Sequence, residues 1–87
     1  MKLKDGFELT ELGGDFMLIP TGNNIVEFGG SVVLNDVSAF LLDKMKAPVT
    51  RDELLELVLA EYEVEKDRAA EDLDKILKTF SEMGILE

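Results

Sequence analysis

The sequence predicts an α+β fold, a small β-sheet followed by a helical bundle, with the junction at Leu34-Asn35. Three observations predict it. Before the junction, short β-type runs alternate with glycine pairs: FELTEL, Gly13-Gly14, DFMLIP, then NNIVEF, Gly29-Gly30, SVVL. After it, no glycine occurs until Gly84. Over that same stretch apolar residues recur at spacings of three and four, the period of helices with one buried face.

The first half reads as strands. Gly13-Gly14 is a two-residue loop that admits the positive φ of tight hairpins. Closing the turn there sets Glu11 opposite Phe16, Leu9 opposite Leu18 and Phe7 opposite Pro20, a face apolar at all but Glu11. The other face, with Glu8, Thr10, Leu12, Asp15, Met17 and Ile19, is mixed. Gly29-Gly30 repeats the device between IVEF and SVVL, but both faces of that pair are apolar: Val26, Phe28 and Val33 on one, Ile25, Val32 and Leu34 on the other. Either a bulge shifts the register, or something else covers one face.

The second half reads as three helices, at about 36–46, 51–62 and 65–83 within a margin of about two to four residues. Asn35 or Asp36 caps the first, and Val37, Phe40, Leu41 and Met45 form its stripe. Pro48 ends it, because the residue before a proline is pushed out of the α region. Thr50 and Glu53 have the spacing of a capping box, followed by Leu54, Leu55, Val58, Leu59 and Tyr62. The third helix carries Ala69, Ala70, Leu73, Ile76, Leu77, Phe80 and Met83, with Glu71–Lys75 and Asp74–Lys78 as i,i+4 pairs on its wet side. Gly84 stands where a helix-ending glycine belongs, so Ile85-Leu86 can fold back onto the bundle.

Composition excludes most chemistry. The chain has neither Cys nor His, which removes thiol nucleophiles, imidazole bases and the usual zinc and haem ligands. Ser31, Ser38 and Ser81 have no Lys at a catalytic spacing, and serines so placed read as turn, cap and surface residues. Carboxylate pairs such as Glu53/Glu56 and Asp72/Asp74, and the EYEVEKD run at 61–67, read as solvated helix faces. The glycine pairs form no phosphate-cradling motif, and no cofactor or metal is expected. Nine Lys/Arg against nineteen Asp/Glu give a net charge of −10, which opposes binding to nucleic acid or an anionic membrane. No apolar run approaches the roughly 20 residues of a membrane span, and the charged start MKLKDGFEL lacks a signal-peptide h-region. One cytoplasmic domain over residues 1–87 is the expectation. A peptide that adds a strand to the apolar 25–34 segment is the functional lead, because an edge strand exposes unpaired N–H and C=O groups; the alternative is that Val26, Phe28 and Val33 are core of a small twisted sheet.

Leu34-Asn35, Ala39-Phe40, Thr50 with Glu53-Leu54, Leu59, Tyr62 and Met83-Gly84-Ile85-Leu86 together resemble the PqqD-like family over most of the chain, from Phe7 to Leu86. These are recognition elements for ribosomally made, post-translationally modified peptides. The resemblance implies a winged helix-turn-helix-like fold, with an N-terminal three-stranded antiparallel sheet over residues 7–34 packed on three C-terminal helices. It implies no catalysis. It implies that the leader of a precursor peptide adds as a strand against Ile25–Leu34 and along the last helix, and is presented to a tailoring enzyme such as a radical SAM protein. The implied binding residues are Ile25, Val26, Glu27, Phe28, Ser31, Val32 and Val33, facing Arg68, Asp72, Lys75, Ile76 and Thr79. The alternative is a winged-helix-like interaction or regulatory domain with a different protein partner.

Overall fold

The computed structural model describes the backbone of residues 1–87 and every side chain except those of Val26 and Glu27. In chain order the elements are β1 (Phe7–Leu12), β2 (Asp15–Pro20), α1 (Asn24–Phe28), β3 (Val32–Leu34), α2 (Asp36–Lys44), α3 (Arg51–Glu61) and α4 (Lys66–Met83). The three strands form one antiparallel sheet in the order β1-β2-β3, as the fold class requires.

The first hairpin closes in the register set by its glycines, with Phe7 opposite Pro20, Leu9 opposite Leu18 and Glu11 opposite Phe16. Gly13 (φ 62°) and Gly14 (φ 87°) both lie at positive φ, the geometry whose twist matches the flanking strands. Val32 and Leu34 extend the same inward face, opposite Leu18 and Phe16.

The segment 24–28 is a short helix, so IVEF and SVVL do not form a hairpin. Gly29 (φ 84°) is its left-handed C-cap, and the Gly29 N–H donates to the Ile25 carbonyl. Asn24 anchors this turn from outside: its side-chain amide donates to the Gly6 carbonyl at 3.1 Å and to the Asp5 carbonyl at 3.3 Å. Phe28 then turns inward and stacks edge-on against Phe7, with ring centroids 5.2 Å apart. The doubly apolar segment is therefore divided between α1 and β3 instead of forming one strand pair.

The caps hold as the sequence sets them. The Asn35 side chain accepts from the Ser38 N–H at 2.8 Å, Thr50 and Glu53 complete a reciprocal capping box, and Gly84 (φ 74°) ends α4. Helices α2 and α3 end slightly short of the expected 46 and 62, and α4 starts one residue after 65. Leu18, Leu41, Leu42, Met45, Leu54, Leu73, Phe80 and Ile85 are fully buried and form the core between sheet and helices. Ile85 folds back as expected, and the tail pairs with the N-terminal segment in a Leu3–Leu86 bridge. One ion pair differs from expectation. Asp74 does not pair with Lys78; it takes a two-pronged bond from Arg51 at 2.9 and 3.0 Å, tying the start of α3 to the middle of α4. A planar guanidinium matches both carboxylate oxygens, which a lysine one turn away cannot do.

Candidate peptide-binding edge and cleft

The free edge of β3 is defined by hydrogen-bond alternation. A two-residue hairpin closes on a hydrogen-bonded pair, here Leu12 and Asp15, and every second pair is then of the same kind. The series ends with the Thr21 N–H on the Gly6 carbonyl at 2.8 Å, the same parity. Asp15, Met17 and Ile19 thus turn their backbone groups toward β1, and Phe16 and Leu18 turn theirs toward Leu34 and Val32. The N–H and C=O of Val33 between them point away from the sheet. Pro20 belongs to the set that faces β3, and with no N–H to give it ends the ladder on that side.

The two sheet edges differ in charge. β1 carries Glu8 and Glu11, the kind of edge that repels strand pairing. β3 is Val32-Val33-Leu34, with no charge and with Val33 63% exposed. An exposed β-branched residue on an uncharged, unpaired edge is the natural template for an added strand.

Beside the end of β3 lies a cleft of about 310 Å³ lined by Asn35, Val37, Asp72, Lys75 and Ile76. Helix α4 contributes Asp72, Lys75 and Ile76 from one flank, one turn apart as i and i+3/i+4 neighbours. Val37 and Asp72 also border a deeper apolar pocket of about 270 Å³. Leu41, Val58, Tyr62, Val64, Ala69 and Leu73 line that pocket, which opens between α2, the end of α3 and α4. The two hollows share Val37 and Asp72 as a common wall. At the mouth, Lys75 pairs with Glu71 at 3.2 Å and Arg68 approaches Asp72 at 3.9 Å. These are exposed i,i+4 contacts that an incoming carboxylate could exchange at little cost.

The residues singled out from the sequence divide into three groups. Val33, Asp72, Lys75 and Ile76 lie on the edge or in the cleft. Ser31 is exposed just before β3, whereas Val32 is half-buried on the core face. Arg68 and Thr79 are exposed on α4 but outside the cleft lining, and the Thr79 hydroxyl donates to the Lys75 carbonyl at 3.1 Å. The third group is not on the edge strand: Ile25 (57% exposed), Val26, Glu27 and Phe28 belong to α1. Phe28 instead lines a separate hollow with Phe7 and Met83. The side chains of Val26 and Glu27 lie outside the described residues. Asn35, Val37, Tyr62 and Val64 also line the two hollows and carry no signal of that in the sequence. Asn35 was legible only as a helix cap, and Val37 and Tyr62 only as members of core stripes.

The family model described as "Coenzyme PQQ synthesis protein D (PqqD)" matches residues 13–86. Two solved structures share the fold. One is described as "TbiB1 in Complex with the TbiA(beta) Leader Peptide", with a TM-score of 0.80 and 20% identity over 100% of this chain and 95% of that one. The other is "Lasso peptide synthetase B1 complexed with the leader peptide", with a TM-score of 0.75 and 20% identity over 99% and 95% of the two chains. No curated protein sequence matches the chain.

Proposed function

The chain belongs to the PqqD family, and from that premise we propose that it is a non-catalytic module that binds the leader of a ribosomally made precursor peptide. The leader adds as a strand at Val33 and lies against the α4 flank, and the module presents it to a tailoring enzyme. The observation that carries this reading is the uncharged, unpaired β3 edge beside an apolar cleft. That both structural neighbours were solved with leader peptides supports the choice of ligand. A radical SAM protein as the receiving enzyme is what family membership suggests, and the cytoplasm as the compartment goes with the missing signal-peptide h-region.

The energetics assign distinct roles to edge and cleft. A residue paired with Val33 gains two backbone hydrogen bonds, about 0.5–1.5 kcal/mol net each. Each large apolar side chain buried in the cleft adds about 1.5–3 kcal/mol. Since micromolar affinity needs about 8 kcal/mol after all costs, backbone pairing sets register and side-chain burial supplies most of the strength. An added strand alternates its side chains. The residue opposite Val33 therefore faces outward, and its two neighbours face inward with Val32 and Leu34.

Calorimetric titration with the leader encoded beside this gene tests the reading. Saturable binding that is lost on scrambling the leader is expected. Equal binding of the scrambled peptide, or no heat at millimolar concentration, would overturn it.

A further inference from the structure

Helix α2 separates two grooves. Val37 and Leu41 face the deeper apolar pocket already described, while Asp36, Ala39, Phe40 and Asp43 face another groove, of about 520 Å³, on the side of the β1–β2 hairpin. Its floor is apolar: Leu9 and Phe16 from the sheet, Ala39 and Phe40 from α2. Phe40 and Tyr62 stack edge-on at 5.5 Å, and this pair makes one wall. Glu11 stands on the strand side and Asp36 on the helix side, and neither takes part in a salt bridge among the described residues. The cations nearby are already engaged, with Lys46 on Asp43 at 3.1 Å and Lys44 over the Phe40 ring at 5.3 Å. Burial, Glu61 and Asp36 all push the Tyr62 phenol above its ordinary pKa, so negative potential reaches the aromatic wall.

We infer that this groove is a second docking site, which takes a protein segment carrying an arginine or lysine beside an apolar side chain. Charge complementarity selects that occupant. An aliphatic stem with a cationic head covers Phe16 and Phe40 while its charge reaches Glu11 and Asp36. An anionic segment meets two carboxylates without counter-ions, and a purely apolar one leaves them beside its edge with no compensation. The inference does not depend on the peptide reading, because the groove lies across α2 from the β3 edge.

The test uses two synthetic hexapeptides, acetyl-Gly-Leu-Arg-Phe-Arg-Gly-amide and its counterpart with both arginines replaced by glutamate. Amide chemical shifts of the labelled chain are followed with each. The arginine peptide is expected to move Leu9, Glu11, Phe16, Asp36 and Phe40, and the glutamate peptide to move none of them. Glu11→Gln should weaken the arginine peptide about two- to fivefold, the value of one exposed ion pair. Glu8→Gln, an equal charge change on the other face of β1, should not. Val33→Pro should leave this binding unchanged, which separates its outcome from that of the β3 edge. Shifts spread over all acidic surfaces would overturn the inference. So would equal weakening by Glu8→Gln, shifts centred on β3, or no shift at millimolar peptide.

Discussion

Proline at position 33 should act mainly on binding and proline at position 32 mainly on stability, although the residues are adjacent and both are valine. The N–H of Val33 faces the open edge, so Val33→Pro removes a donor that the free protein does not use. The N–H of Val32 faces Leu18 across the β2–β3 ladder, so Val32→Pro breaks an internal bond of a strand only three residues long. For Val33→Pro the folded state loses little, and stability should fall by less than about 1 kcal/mol. Leader binding should fall by more, because the peptide carbonyl that would accept from Val33 is left unpaired at about 1–3 kcal/mol. That corresponds to about 5- to 150-fold in the dissociation constant. For Val32→Pro, stability should drop by about 3 kcal/mol, from the lost bond together with the clash of the ring in a paired strand. Calorimetry with the leader gives the affinities, and urea unfolding gives the stabilities. If Val33→Pro bound the leader as tightly as the parent, or if it unfolded more readily than Val32→Pro, the assignment of which backbone groups face the edge would be wrong.

Ile76→Ala, at a half-buried cleft position, should weaken leader binding about tenfold, whereas Phe80→Ala one turn on, at 2% exposure, should cost about 3–5 kcal/mol of stability; paired binding and unfolding curves separate the two. Thr50→Ala removes the hydroxyl that accepts from the Glu53 N–H at 3.1 Å and should cost about 1 kcal/mol, read as a melting temperature lower by about 4–8 °C. The Arg51 guanidinium holds the Asp74 carboxyl below the usual carboxylate range. This pair therefore stabilises the fold above the ordinary carboxylate pKa and is lost as pH falls through the depressed folded value. Asp74→Asn should flatten the acid limb of a stability–pH curve below about pH 4 while leaving its shape near neutrality unchanged.

The helical half was legible because its signals are local. A cap side chain, a capping box and a terminal glycine each act within one turn, so Asn35, Thr50–Glu53 and Gly84 declared their roles in sequence. The first hairpin was legible for the same reason: two glycines at positive φ allow one register. Residues 24–28 were not legible. Ile25, Val26 and Phe28 have strand propensity, and the helix they form is anchored from outside by Asn24 on Gly6 and by Phe28 on Phe7. Contacts at that sequence distance override local preference. Of the residues lining the cleft, Asp72, Lys75 and Ile76 came from the resemblance to the PqqD-like family, which implies one flank of the last helix. Val37 and Tyr62 did not. A residue that lines a groove and a residue that fills a core share the same apolar stripe, and only the packing tells them apart.

The central claim is that the leader becomes the fourth strand of this sheet, paired at Val33. Isotope-edited NMR of the labelled chain with unlabelled leader tests it most directly. The account predicts cross-strand backbone contacts between the peptide and Val33, and a marked slowing of amide exchange at Val33. Val32 and Leu34, whose amides already face β2, should change little. Slowing along β1 at Leu9 and Glu11 instead, or contacts confined to α3 with Val33 unaffected, would contradict it.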